Sequence, residues 1–294
     1  MEAEGQFQKR MQEEGGPRAS DYLLVEDNGA EVTIIAFAGI AVLYAGMPQF
    51  EFHRMLKRIG IPTNLIMVRD IQRSAYCLTP DGKPNGTVFY ENMIHSALKQ
   101  LNSKYNVAMG ASAGGAAAFY FSGRLPIDHI ITFSPGFPAE IYTNYKTRLM
   151  VLGNMKQLFR EPGAYAEVLL VTYGATLFDR RIKRLSNGAG AVDVLKGYLS
   201  AKPAPARVSL FYGEDCIPDR NQADMMRPYD TVHLRPLPTG RHNCASFLHK
   251  QGKLISTLKE EVVLGMQAQA PPHVATPADP LLQTLHTAHG QGTL

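Results

Sequence analysis

The chain has 294 residues, 45% of them hydrophobic and 19% charged, which is enough apolar material for one large domain or two small ones. Its 30 Lys+Arg and 26 Asp+Glu leave a net charge of +4. That excess is dispersed, with no basic block longer than Arg180–Arg181 and Lys183–Arg184, and it excludes a nucleic-acid footprint. Three cysteines (Cys77, Cys216, Cys244), a polar start without an apolar h-region, and a longest apolar stretch of only Val32 to Met47 argue against a disulfide framework, a zinc site, a signal peptide and a membrane span.

The expectation is a soluble, cytoplasmic protein. Residues 1–20 are polar and read as a flexible start. Tyr22–Glu26 and Glu31–Phe37 flank Asp27-Asn28-Gly29-Ala30, and an Asn-Gly pair between two strands predicts a hairpin. A helix is expected over Gln49–Arg58 and a strand over Asn64–Val68. Met93, Ile94, Ala97, Leu98 and Leu101 make one apolar face of a helix over Glu91–Leu101. Strand Asn106–Met109, helix Gly114–Phe121 and strand His129–Phe133 follow. Strands at Val208–Tyr212 and Thr231–Leu234 and a helix from Ala245 to about Leu264 complete the pattern. Strands alternating with helices imply a mostly parallel sheet covered on both faces.

Residues 139–205 break the alternation. Helices are predicted at Thr147–Arg160, Ala164–Arg184 and Val192–Leu199, rich in Tyr, Met and Leu. An insertion there would sit above the carboxyl ends of the strands, where α/β sheets bind ligands, and it reads as a helical cap. The domain is expected to span residues 21–266, with 267–294 a flexible tail.

Gly110-Ala111-Ser112-Ala113-Gly114 matches G-x-S-x-G. In a chain of this composition the pattern arises by chance about once in ten, so its position on a strand-to-helix corner carries the weight. Such a corner pushes a serine Oγ out at the top of the sheet, and flanking glycines avoid collisions with strand and helix. A serine hydroxyl needs a base, and the base needs an orienting carboxylate. His242, in a loop between a strand and a helix, is the candidate base; His233 lies inside a strand and His249 inside a helix. The acid is sought in Gly213-Glu214-Asp215-Cys216-Ile217-Pro218-Asp219. Asp215 and Asp219 are equally placed by spacing, with Glu214 a third choice, and Asp219 could instead cap helix Asn221–Met226. Oxyanion donors are expected from the Ala113 amide and from Gly39 or Ile40 after strand 31–37.

Ser112, the acidic cluster and His242, in that order on alternating strands and helices, resemble the alpha/beta-hydrolase superfamily over roughly residues 22–264. Phe37-Ala-Gly39, Phe50-Glu-Phe52, Val68-Arg-Asp70 and Phe133-Ser-Pro135 resemble a bacterial subgroup, some of whose members accompany glycan assembly. In its pattern a Tyr-Gly strand end is followed by an Asp and, four residues later, an Ala. Tyr212-Gly213, Asp219 and Ala223 match, so the resemblance implies Asp219 as the acid. The chain departs from the subgroup at Gln222, where His is frequent, and at Ala75-Tyr76, where an aromatic pair is usual. The resemblance implies an alpha/beta-hydrolase fold and a serine esterase working through an acyl-enzyme on a small-molecule or glycan ester, with no cofactor. An acyltransferase to or from a sugar, and a non-catalytic binding protein on the same fold, remain as alternatives. Gly188-Ala-Gly190 lacks the third glycine of a dinucleotide loop, and Arg69-Asp70 reads as a strand-end ion pair in preference to a site pair.

Overall fold

The computed structural model describes residues 16–40, 50–136, 139–185 and 205–269. The flexible segments expected at the two ends fall largely outside this range, as does the helix expected at Val192–Leu199. The last described helix runs to Gln269, past the expected domain end at 266.

Among the described residues, seven strands form one sheet: β1 (Leu23–Glu26), β2 (Val32–Phe37), β3 (Asn64–Val68), β4 (Tyr105–Ala111), β5 (His129–Phe133), β6 (Arg207–Gly213) and β7 (Val232–Leu237). They lie in the order β1-β3-β2-β4-β5-β6-β7. All neighbours pair in parallel except β1, which is antiparallel to β3 in the register Leu23↔Val68.

The hairpin expected around Asn28-Gly29 is therefore not formed. The turn exists, with Gly29 at φ 62°, but β1 leaves it to pair with β3. Asn64 holds the arrangement, since its Oδ1 accepts the Asn28 and Ala30 amides while Asn28 Nδ2 donates to Thr63 O. The physical reason is burial. Every residue of β2 is buried, so that strand needs a partner on each edge and a helix layer on each face. The part-buried β1 is suited to the sheet edge.

Alternation along β2 sends Ile35 and Phe37 to one face and Ile34 and Ala36 to the other, seeding two cores. Tyr90, Ile94 and Leu98 of α3 (Gly86–Leu101) and Phe119 and Phe121 of α4 (Ala113–Ser122) cover the first. Leu248 of α10 (Cys244–Lys250) and Leu254, Leu258 and Val262 of α11 (Leu254–Gln269) cover the second. The single helix expected from Ala245 is thus two helices, parted where Gly252 takes φ 69°.

Two short helices, α1 (Ala19–Tyr22) and α2 (His53–Leu56), lie on the amino-terminal half. Residues 139–185 form α5 (Ala139–Thr143), α6 (Tyr145–Leu152), α7 (Met155–Arg160) and α8 (Pro162–Leu185). Asn154 splits what reads as one helix over 147–160, its side chain accepting the Gln157 amide at the start of α7, and Asn144 caps α6 by accepting the Lys146 and Thr147 amides. Among the described residues, no helix is long and apolar enough to cross a membrane.

Candidate active site

The corner after β4 is tight. Ser112 has φ 50° and ψ −120°, a conformation that costs a non-glycine residue energy and persists only where its surroundings enforce it. Those surroundings are backbone. A Cβ on Gly110 would come within 2.3 Å of Gly114 C, and one on Gly114 within 2.2 Å of Phe37 O. Only glycine lets α4 start this close to β4 and β2. Ser112 N donates to Phe133 O, and Ser112 O accepts from both Ala116 N and Gly136 N. The serine is thus fixed by the strand, the helix and the loop after β5.

His242 lies between β7 and α10. Its Nε2 is 3.0 Å from Ser112 Oγ and its Nδ1 is 2.8 Å from Asp219 Oδ1. With Nδ1–H donating to the carboxylate, Nε2 is left as an acceptor for the serine proton. Asp219 is fully buried and His242 is 6% exposed. Burial alone lowers the imidazole pKa, but the charge and hydrogen bond of Asp219, with a smaller contribution from Glu167, outweigh it and hold the value above 6.5.

Asp219 sits inside the first turn of α9 (Ile217–Met226), which starts four residues earlier than Asn221, so Asp219 is not its N-cap. Asp215 is exposed in the turn after β6, beside a shallow surface depression lined by Met150, Asn154 and Arg220. Glu214 is exposed in the same turn. Of the three acids, Asp219 is the one brought to His242.

Ala113 opens α4 directly after the serine. Gly39 lies beside the same corner, where a Cβ would sit 2.8 Å from Ala111 O. Its amide, however, donates to Glu51 Oε2 at 2.8 Å. Burial raises the Glu51 carboxyl to about 7, an effect the Gly39 hydrogen bond only partly offsets. Ile40, the other expected donor, is half-buried. Behind this loop, Tyr76 Oη donates to Ala38 O at 2.9 Å, and Asp70 accepts the Gln72, Ser74 and Tyr76 amides. Asp70 thus organises the 70–78 turn.

Tyr142 of α5 is a site residue with no signal in the sequence beyond the tyrosine-rich composition of its segment. Its Oη donates to Asp219 Oδ1 at 3.2 Å, and its ring meets His242 edge-on at 5.9 Å. Cys216, Asp219 and His242 place donor atoms within 4.8 Å of one another, a grouping with the count of a metal site. Yet Nδ1 is engaged by Asp219, and burial raises the Cys216 thiol well above its usual value, away from the thiolate that a metal requires.

A second serine, histidine and carboxylate meet at the opposite, amino-terminal end of the strands. His129 Nε2 is 3.0 Å from Ser209 Oγ, which donates to Glu261 Oε2 at 2.5 Å. Here the carboxylate holds the serine rather than the histidine, and Arg207 and Arg235 neutralise it. Ser209 is fully buried, and burial lowers His129 to about 3. This trio fastens α11 to the sheet and offers neither access nor a base.

No known family profile and no curated protein matches the chain. Solved structures do match. A candidate esterase from Staphylococcus aureus superposes with a TM-score of 0.55 at 16% identity, over 88% of this chain and 91% of that one. A carboxylesterase structure from the thaumarchaeon Nitrososphaera gargenis gives a TM-score of 0.51 at 13% identity, over 84% and 95%. A chain of the Glycosylation Associate Protein (Gap123) complex of Streptococcus agalactiae gives 0.51 at 16% identity, covering 80% of this chain. This chain spans 43% of the length of that neighbour. At such identities the likeness concerns architecture. The parallel sheet with its antiparallel edge strand, the elbow after β4 and these superpositions show that the chain has the alpha/beta-hydrolase fold.

Proposed function

We propose that the chain is a serine hydrolase of carboxylic esters with Ser112 as nucleophile, His242 as base and Asp219 as the group that orients the base. One observation carries this reading: the continuous hydrogen-bond path from Ser112 Oγ through both ring nitrogens of His242 to Asp219, at 3.0 and 2.8 Å. Ser112 Oγ attacks the ester carbonyl carbon as its proton passes to His242 Nε2. The imidazolium is stabilised by Asp219 and returns that proton to the leaving alcohol oxygen as the carbon–oxygen bond breaks. An acyl group remains on Ser112. Water attacks it with His242 again as base, and the carboxylic acid and free serine are regenerated.

The Ala113 amide supports one donor position for the developing oxyanion. The Gly39 amide can serve as a second only when Glu51 releases it, and the near-neutral pKa of that carboxyl means that protonation weakens its hold. The chemistry needs no metal or organic cofactor. An acceptor hydroxyl on a sugar would use the same acyl-enzyme as water does, and the likeness to the glycosylation-associated neighbour makes glycan esters worth including among substrates.

The test is hydrolysis of a panel of aryl and sugar acyl esters by wild type and Ser112→Ala. Turnover that is lost in the variant supports the reading. Equal rates in both overturn it. No turnover by a folded wild type points to the binding-protein alternative.

A further inference from the structure

The cap touches more than the roof of the site. The loop carrying His242 is gripped from two sides. On the sheet side, Glu214 N donates to Leu237 O and Asp215 N to Thr239 O. On the cap side, three side chains reach its backbone or its arginine. Gln157 Nε2 donates to Gly240 O at 2.7 Å, and Glu161 Oε2 accepts the Gly240 amide at 3.1 Å. Glu167 bridges the histidine, its Oε1 accepting the Asn243 amide at 2.6 Å and its Oε2 an Arg241 guanidinium hydrogen at 3.2 Å. A Cβ on Gly240 would lie 2.2 Å from Gln157 Nε2, so the loop is built to admit that side chain. The contacts fall at positions 240, 241 and 243, on both flanks of His242.

Building on the serine-hydrolase reading above, we propose that Gln157, Glu161 and Glu167 are positioning residues that hold the His242 loop from the cap. In this arrangement the base faces Ser112 only while α7 and α8 are docked. The physical basis is that the two glutamates accept backbone amides in charge-assisted hydrogen bonds, which are roughly twice as strong as neutral ones. A small misplacement of a catalytic group costs roughly 100-fold in rate. The cap thereby sets the competence of the base, and anything that lifts α7 and α8 switches the site off.

Glu167 also leaves an electrostatic signature that a merely structural residue would not. The groups facing His242 are Asp219 and Cys216 at the start of α9, Glu167 on α8, Tyr142 on α5, Cys244 at the start of α10, Ser112 at the elbow and Arg241 in its own loop. Asp219 and Glu167 are the two that raise its pKa. Glu167→Gln keeps an acceptor for the Asn243 amide and removes the charge.

The experiment follows His242 in the full-length protein by NMR titration of its ring protons. In parallel it measures the rate of fluorophosphonate labelling against pH, for wild type, Glu167→Gln, Gln157→Ala and Glu161→Gln, with Ser112→Ala as the control for site. The expected results are a lower His242 pKa in Glu167→Gln and an acid limb of labelling displaced downward with it. Plateau labelling is expected to fall roughly 10- to 100-fold in Gln157→Ala and Glu161→Gln with the limb unmoved. Folded variants with wild-type titration and wild-type labelling would overturn the clamp. A folded wild type whose Ser112 takes neither the fluorophosphonate nor a smaller sulfonyl fluoride would refute the hydrolase reading, while the NMR titration would still decide whether Glu167 acts on His242. Should Gln157→Ala not fold, the more conservative Glu161→Gln and Glu167→Gln carry the decision.

Discussion

Replacing Glu51 by Gln should stabilise the protein at alkaline pH and leave it nearly unchanged in acid. The side chain is held by the Gly39 amide alone among the described residues, and burial lifts its carboxyl from 4.5 to about 7. The folded state therefore binds this proton more tightly than the unfolded chain does. As pH rises through the ordinary carboxyl value towards 7, the unfolded form gives up its proton first and stability is lost; the loss is complete above 7. The displacement from 4.5 to about 7, at about 1.4 kcal/mol per unit, sets a penalty of about 3 kcal/mol above pH 8. Because the residue keeps some exposed surface although its carboxyl is enclosed, that figure is an upper bound. Glutamine retains an acceptor for the Gly39 amide and carries no charge at any pH. Urea unfolding of wild type and Glu51→Gln at pH 4.5 and pH 8.5 provides the measurement, with the difference between proteins taken at each pH so that other titrations cancel. A gain of one to three kcal/mol at pH 8.5 that disappears at pH 4.5 is expected. Equal differences at the two pH values would show that the carboxyl titrates normally and refute the reasoning.

The acid assignment can be decided by a pair of substitutions. Asp219→Asn should lower turnover by roughly 10⁴-fold by misorienting the imidazole, a magnitude taken from the equivalent change in the serine-protease triad. Asp215→Asn, in an exposed turn, should stay close to wild type in the same ester assay; the reverse ranking would move the acid. Because Asp219 holds the His242 pKa above 6.5, the base is protonated and idle below that value. The acid limb of kcat/KM against pH should therefore lie above 6.5, and a limb below it would contradict the electrostatics of the site.

The elbow was legible because its demands are local. A strand, two glycines and a run of small residues must all be contiguous for Ser112 to adopt its strained corner, so the sequence has to spell them out. The loop placement of His242 was legible for the same reason. The choice between Asp215 and Asp219 was not open to spacing, because it depends on where α9 begins. The helix starts at Ile217, which turns Asp219 inward and leaves Asp215 outside. The Asn-Gly turn misled in a different way, since its chemistry is local whereas strand pairing is decided by β2 being buried on both faces. Glu51, Tyr142 and the cap glutamates carry no motif at all. Each acquires its role from a partner between 12 and 79 positions away, and a lone carboxylate in a sequence does not announce a distant backbone amide.

The most direct test of the central claim is the reaction of the protein with a fluorophosphonate probe, read by intact mass and peptide mapping, in wild type, Ser112→Ala and His242→Ala. The probe requires an activated serine and no knowledge of the substrate. The account predicts one label, mapped to Ser112, absent in Ser112→Ala and strongly slowed in His242→Ala. A folded wild type that takes no label from this probe or from smaller sulfonyl fluorides would contradict it, as would a label on any other serine.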